Sequence, residues 1–223
     1  MPENGKAKSS FFDAVGTLFG VRGSVGEIYH HLAREFGVNV PADKLQQAFV
    51  DNFLTSEPLQ FPGVNPLDIP ENEFQWWKAI AYDTFAQVGV IEQFSDFDDF
   101  FNRLYGHFAT PEPWYVYDDV LPLLETWREQ GMEMGIISNF DSRIHAVLQG
   151  LELRDLFSSV TISSTVGAAK PDGQIFKAAL AKYGFEPTQA LHIGDSLTED
   201  YHGAKAAGLQ ALFLQRDNPV LGN

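Results

Sequence analysis

Four short segments place reactive side chains at or shortly after the ends of apolar runs. In Ser9–Phe19, SSFFDAVGTLF, an apolar stretch ends on Asp13, and Gly16 and Thr17 follow. A carboxylate delivered in this way can serve as a nucleophile, and the glycine lets backbone amides approach an anion. A strand-end aspartate also caps turns, so this stretch alone decides little. Ser138 and Asn139 follow a second apolar run and offer a hydroxyl and an amide to a phosphate oxygen. Lys170, just before Pro171, supplies a positive charge that can offset both a nucleophile and a substrate oxyanion. A lone Lys-Pro is nonetheless more often a surface loop, and Ser-Asn after a strand is ordinary loop chemistry. GDSLTED, Gly194–Asp200, carries Asp195, Glu199 and Asp200 after a further apolar run. Clustered carboxylates suit a hard cation such as Mg²⁺, although acids at a helix start are also common caps.

The elements that must hold these residues fall into two patterns. Short apolar runs at Phe11–Phe12, Met134–Ile137, Val160–Ile162, Leu191–Ile193 and Ala211–Leu214 read as strands. Helical stretches near Asp119–Glu129, Arg143–Leu148, Gln174–Tyr183 and Thr198–Ala207 alternate with them, which predicts a Rossmann-like parallel sheet covered on both faces. In such sheets ligands sit at the carboxyl ends of the strands, where the four segments fall. Between roughly Val25 and Phe108 the apolar residues instead keep helical period, in four stripes broken by the proline-rich EPLQFPGVNPLDIPEN. The expected α/β architecture is therefore a core of residues 1–21 and 113–223, with an all-helical bundle of residues 22–112 inserted as a cap.

Composition narrows the function. Thirty acidic against 15 basic residues give a formal charge of −15, which repels nucleic acid and anionic membranes. There is no cysteine, so thiolate chemistry and disulfides are excluded. The polar start, MPENGKAKSS, predicts no signal peptide, and no apolar run reaches spanning length, so a cytoplasmic protein is expected. Asp96, Asp98 and Asp99 alternate with phenylalanines and read as a solvated helix start, and His192 reads as a packed histidine. Arg22, just past the first motif, is a candidate contact for a substrate anion.

Taken together and in this order, the four segments resemble the haloacid dehalogenase-like hydrolase superfamily, in subfamily IA with its helical cap. Phe12 through Glu27 and the Trp76-Trp77 region resemble the rhythmically-expressed-gene branch. The resemblance implies an enzyme in which Asp13 takes a phosphoryl group as an aspartyl ester. It implies that Gly16 and Thr17 support the first-motif turn beside the substrate, that Ser138 and Asn139 hold the transferring group, and that Lys170 balances charge. It implies Mg²⁺ on Asp13, Asp195, the Val15 carbonyl and a last-motif acid, for which Asp200 fits better than Glu199.

Val15 departs from the pattern. Phosphatases of the family carry an aspartate there, as general acid and base, a contribution of roughly 10²–10⁴ in rate. Valine offers only its carbonyl. Three readings follow: a Mg²⁺-dependent phosphohydrolase of a small phosphorylated metabolite, a 2-haloacid dehalogenase, and a non-catalytic ligand- or partner-binding protein. The retained Asp13, Lys170 and acidic last motif favour the first, with Glu199 a possible compensating group acting on water.

Overall fold

Each apolar run read as a strand is paired. The computed structural model describes residues 9–216, so the extreme ends of the expected core segments lie outside the described residues. From the N-terminus, β1 (Ser9–Phe12) enters the Asp13 turn and β2 (Phe19–Val21) leaves it. Helices α1 (Val25–Glu35), α2 (Ala42–Thr55), α3 (Ile69–Gln87) and α4 (Phe97–His107) follow before β3 (Trp114–Val116). Then come α5 (Val120–Glu129), β4 (Glu133–Ser138), α6 (Ile144–Gly150), β5 (Ser159–Ile162), the single turn α7 (Ser163–Val166) and α8 (Gly173–Ala181). The described chain closes with β6 (Ala190–Gly194), a π-helix over Leu197–His202, α9 (Gly203–Ala206) and β7 (Gln210–Phe213).

The main sheet has the order β5-β4-β1-β6-β7, and every pairing in it is parallel. The chain builds from β1 to β4 and β5 on one side, then crosses to β6 and β7 on the other. The order thus reverses around β1, where sheets of this kind bind ligands. Burial on both faces explains why β4 is unbrokenly apolar over Met134–Ile137 and why all four residues of β1, two serines included, are buried.

The sequence did not suggest the antiparallel ribbon of β2 and β3, in which Phe19 lies opposite Val116. Three-residue strands are too short to show a period. The ribbon brings the two ends of the helical segment together, and the Arg22 N–H donates to the Pro113 carbonyl beside it at 2.8 Å.

Within the helical segment the expected stripes form the core. Phe85 stacks on Tyr29 at 5.8 Å and meets Phe94 and Phe100 edge-on near 5 Å. Ser24 and Glu27 close a reciprocal capping box at the start of α1. Asp96 caps α4 by accepting from the Asp99 N–H, as read from the sequence. α1 and α2 approach most closely at Gly26, where a Cβ would lie 2.2 Å from the Ala42 carbonyl oxygen and 2.5 Å from the Gln46 nitrogen. Both obstacles are backbone, so the helices must separate to admit a methyl group. Gly26→Ala is therefore expected to destabilise the protein by about 1–3 kcal/mol, read as a lower midpoint in urea unfolding. An unchanged midpoint would show that the approach is not tight.

Candidate active site

The ends of β1 and β6, with the loop that leads into α8, converge on one ammonium group. Lys170 Nζ donates to Asp13 Oδ1 and to Asp200 Oδ1, each at 2.6 Å, and all three side chains are buried. A second set of bonds fixes the lysine. Asn139 Oδ1 accepts from the Lys170 N–H at 2.7 Å, and Asn139 Nδ2 donates to the Lys170 carbonyl at 3.0 Å. Asn139 thus braces the lysine backbone, and it also lines the cavity and bonds the Glu199 carboxylate. Ser138, buried at the end of β4, keeps its place beside the cavity.

Asp200 is held on both oxygens. Oδ1 also meets His192 Nε2 at 2.8 Å, and Oδ2 accepts from the Ser196 N–H at 2.9 Å. The wider winding of the π-helix, with the Tyr201 N–H bonded to the Ser196 carbonyl, carries this carboxylate back over its own strand end. Gly194 is required there, because a Cβ would fall 2.1 Å from Asp200 Cγ. Asp195 accepts from the buried Thr17 hydroxyl at 3.0 Å, so Thr17 orients an acid rather than touching a ligand.

Electrostatics separates the two carboxylates that share Lys170. Burial pushes Asp13 up to about 6 against the pull of the lysine, with Asp200 and Asp195 adding repulsion. Burial also opposes charge on Asp200, but Lys170 and His192 outweigh it and hold the group well below the usual carboxylate range. Three donors on Asp200 against one on Asp13 explain the split. Burial likewise opposes charge on Lys170, but its two carboxylate partners prevail and keep it above its ordinary value. Burial lowers His192, so the neutral ring donates from Nε2 to Asp200, a role that the reading of a merely packed histidine missed.

A cavity of about 620 Å³ opens over this cluster. Asp13, Val15, Ser138, Lys170, Asp195 and Glu199 line its polar end. Gly16, Thr17 and Arg22 are not in the lining, and Arg22 is exposed. The structure places Arg22 at the end of the β2–β3 ribbon, outside the cavity lining. Burial raises the Glu199 carboxyl above its ordinary value, and Asp13 and Asp200 reinforce the shift. Oxygens of Asp13, Asp195 and Asp200 lie within 4.8 Å of one another, a donor set of the kind a hard cation takes.

A further cluster went unread in the sequence. Arg143 grips the fully buried Asp141 through Nε at 2.9 Å and Nη2 at 2.7 Å, and Trp77 Nε1 donates to the same carboxylate at 2.7 Å. Glu73, from α3, accepts from both the N–H and the hydroxyl of Ser142. These contacts fasten α3 to the loop after β4. Its signal lay in the stretch Asp141-Ser142-Arg143, but the partners are far away in sequence.

Comparison with known proteins places the chain in context. The family model for haloacid dehalogenase-like hydrolases matches residues 8–208. Mouse haloacid dehalogenase-like hydrolase domain-containing protein 3 is 34% identical, over 94% of this chain and 82% of its own. The Drosophila melanogaster rhythmically expressed gene 2 protein is 31% identical, over 88% and 78%. Among solved structures, the HAD phosphatase from Thermococcus onnurineus superposes with a TM-score of 0.63 at 24% identity, covering 94% of this chain and 87% of that one. L-2-haloacid dehalogenase from Xanthobacter autotrophicus gives 0.68 at 19%, covering 94% and 78%. These two likenesses establish the fold.

Two outcomes test the charge cluster. Asp200→Ala leaves the buried Lys170 short of a counter-charge and should cost about 3–5 kcal/mol, as breaking a buried pair does; a melting temperature within a degree or so of the parent would contradict this. Asp13 binds a proton more readily folded than unfolded, so its stability contribution in metal-free protein is present below about pH 4. It is lost as pH rises through about 6. Asp13→Asn should remove that slope in denaturant titrations from pH 4 to 7, and an unchanged slope would refute the assignment.

Proposed function

The chain belongs to the haloacid dehalogenase-like hydrolases, and from that premise we propose that it is a Mg²⁺-dependent phosphohydrolase of a small phosphorylated metabolite. The observation that carries this reading is the single lysine bonded to two strand-end carboxylates beside a third. One ammonium among three carboxylates leaves the cluster net negative, so a phosphate dianion approaching a carboxylate nucleophile there needs a bound cation, for which the three carboxylates are the donor set. Residues 22–112 are taken as the cap over a core of residues 1–21 and 113–223.

Asp13 attacks phosphorus, forming an aspartyl ester as the bond to the leaving oxygen breaks. Lys170 offsets charge on the nucleophile, and the Ser138 hydroxyl donates to a non-bridging oxygen. Asp13, Asp195, Asp200 and the Val15 carbonyl are the groups that would hold Mg²⁺, and Asp200 also fixes Lys170. When bound, the ion neutralises phosphoryl charge. Val15 cannot protonate the leaving oxygen, which takes its proton from water. In the second half, water attacks the ester and its proton passes to Glu199, returning the Asp13 carboxylate.

A second reading, haloacid dehalogenation, is favoured by Val15, since halide departure needs no acid. Against it, Asp195, Glu199 and Asp200 line the end of the cavity where a substrate carboxylate would enter.

Phosphate release from an aryl phosphate should depend on Mg²⁺, stop with chelator and disappear in Asp13→Asn. Chelator-insensitive halide release from 2-chloropropionate would instead establish the second reading. Glu199→Gln should lower kcat by about 10²-fold, with an unchanged rate eliminating it as the group acting on water.

A further inference from the structure

The cavity that holds the polar cluster is mostly apolar away from it. Opposite Asp13 its wall is built by Phe49, Phe53, Trp76, Trp77, Leu104 and Phe108, all from the helical segment. These are not loosely gathered side chains. Phe53 stacks on Trp77 at 5.9 Å and on Phe49 at 5.6 Å, and Trp76 meets Trp77 edge-on at 4.8 Å. Trp77 is further fixed by its bond to Asp141, so the wall is pre-formed.

The charges around the cavity are equally restrictive. Among the described lining residues the cations are Lys170 and Arg143. Lys170 is bonded to Asp13 and Asp200. Arg143 is forked onto Asp141, donates to the Tyr105 carbonyl at 3.2 Å and lies 3.8 Å over the Tyr105 ring. The wall therefore offers no unpaired cation to a second anionic group. A phosphorylated hydroxy acid or a bisphosphate would leave its distal charge against aromatic carbon, at a cost of several kcal/mol. A volume of about 620 Å³ is far more than a phosphoryl group fills.

We propose that the ligand is an amphiphile with a single anionic group: a phosphomonoester of an extended alkyl or aryl group, its phosphoryl at Asp13 and its apolar body against the Phe53–Trp77 wall. The assignment rests on the phosphohydrolase reading for the head group and on the wall alone for the body.

The test is isothermal titration of the full chain in Mg²⁺ with methylphosphonate, hexylphosphonate and phosphonoacetate. Burying methylenes strengthens binding by two- to fourfold each, so hexylphosphonate should bind at least about 30-fold more tightly than methylphosphonate. Phosphonoacetate should gain nothing over methylphosphonate. In Phe53→Ser the hexyl-to-methyl ratio should fall at least about fivefold. Equal affinity of the two alkyl ligands, tighter binding of phosphonoacetate than of hexylphosphonate, or a ratio untouched by Phe53→Ser each overturns the proposal. Hydrolysis is read separately with methyl, hexyl and aryl phosphates. A steep affinity series without phosphate release upholds the ligand class and sinks the phosphohydrolase reading; phosphate release with a flat series does the reverse.

Discussion

One ammonium group shared by two buried carboxylates is the constraint on which the site depends. Lys170 cannot be buried uncompensated, so the sheet must deliver Asp13 and Asp200 to within bonding distance of it from different strand ends. Much of the surrounding structure follows from meeting that demand. Gly194 clears room for Asp200, the π-helix turns the carboxylate inward, His192 and the Ser196 N–H bond it on either oxygen, and Asn139 clamps the lysine main chain. With Asp200 so strongly ionised, Asp13 is left as the carboxylate that titrates most easily. A carboxylate held in this balance is responsive to whatever charge enters the cavity.

A second buried pair ties the helical segment to the same centre. Asp141 and Arg143 sit on the loop that begins with Ser138 and Asn139, and they are gripped from above by Trp77 and the Tyr105 carbonyl. Glu73 adds two bonds to Ser142. Burial raises the Glu73 carboxyl above its ordinary value, although the serine contacts favour its charged form. The aromatic wall of the cavity and the loop after β4 that carries Ser138 and Asn139 are thus one bonded unit. Displacement of α3 would be felt at Asn139 and, through it, at Lys170.

The sequence disclosed the strand ends well, because parallel strands buried on both faces leave unbroken apolar runs that stop at functional residues. Asp13 and Asp195 stand at strand ends as those runs indicate, Lys170 follows β5 only after the α7 turn and a short loop, and the helical segment shows in stripes that keep a plain period. Three kinds of information were not local. Asn139 reads as a ligand-facing amide, yet it also braces a backbone 31 residues away. The Trp77–Asp141 and Glu73–Ser142 bonds span 64 and 69 residues, and neither end carries a motif. The β2–β3 ribbon is too short for any period, and Arg22 lies at its end, outside the cavity lining. The helix over Thr198–Ala207 was foreseen, but its π winding, which sets the reach of Asp200, depends on the bonds that Asp200 itself makes.

The central claim is that Asp13 is a covalent nucleophile in a site whose usual acid is replaced by Val15, so the two halves of the reaction are unequally served. The most direct measurement is rapid quenching of the Mg²⁺-loaded protein with an aryl phosphate, followed by peptide mass analysis. A good leaving group needs no acid, so a phosphoryl adduct should build up on the peptide containing Asp13 and be absent from Asp13→Asn. Steady phosphate release with no adduct on that peptide, or an adduct on another residue, would contradict the claim.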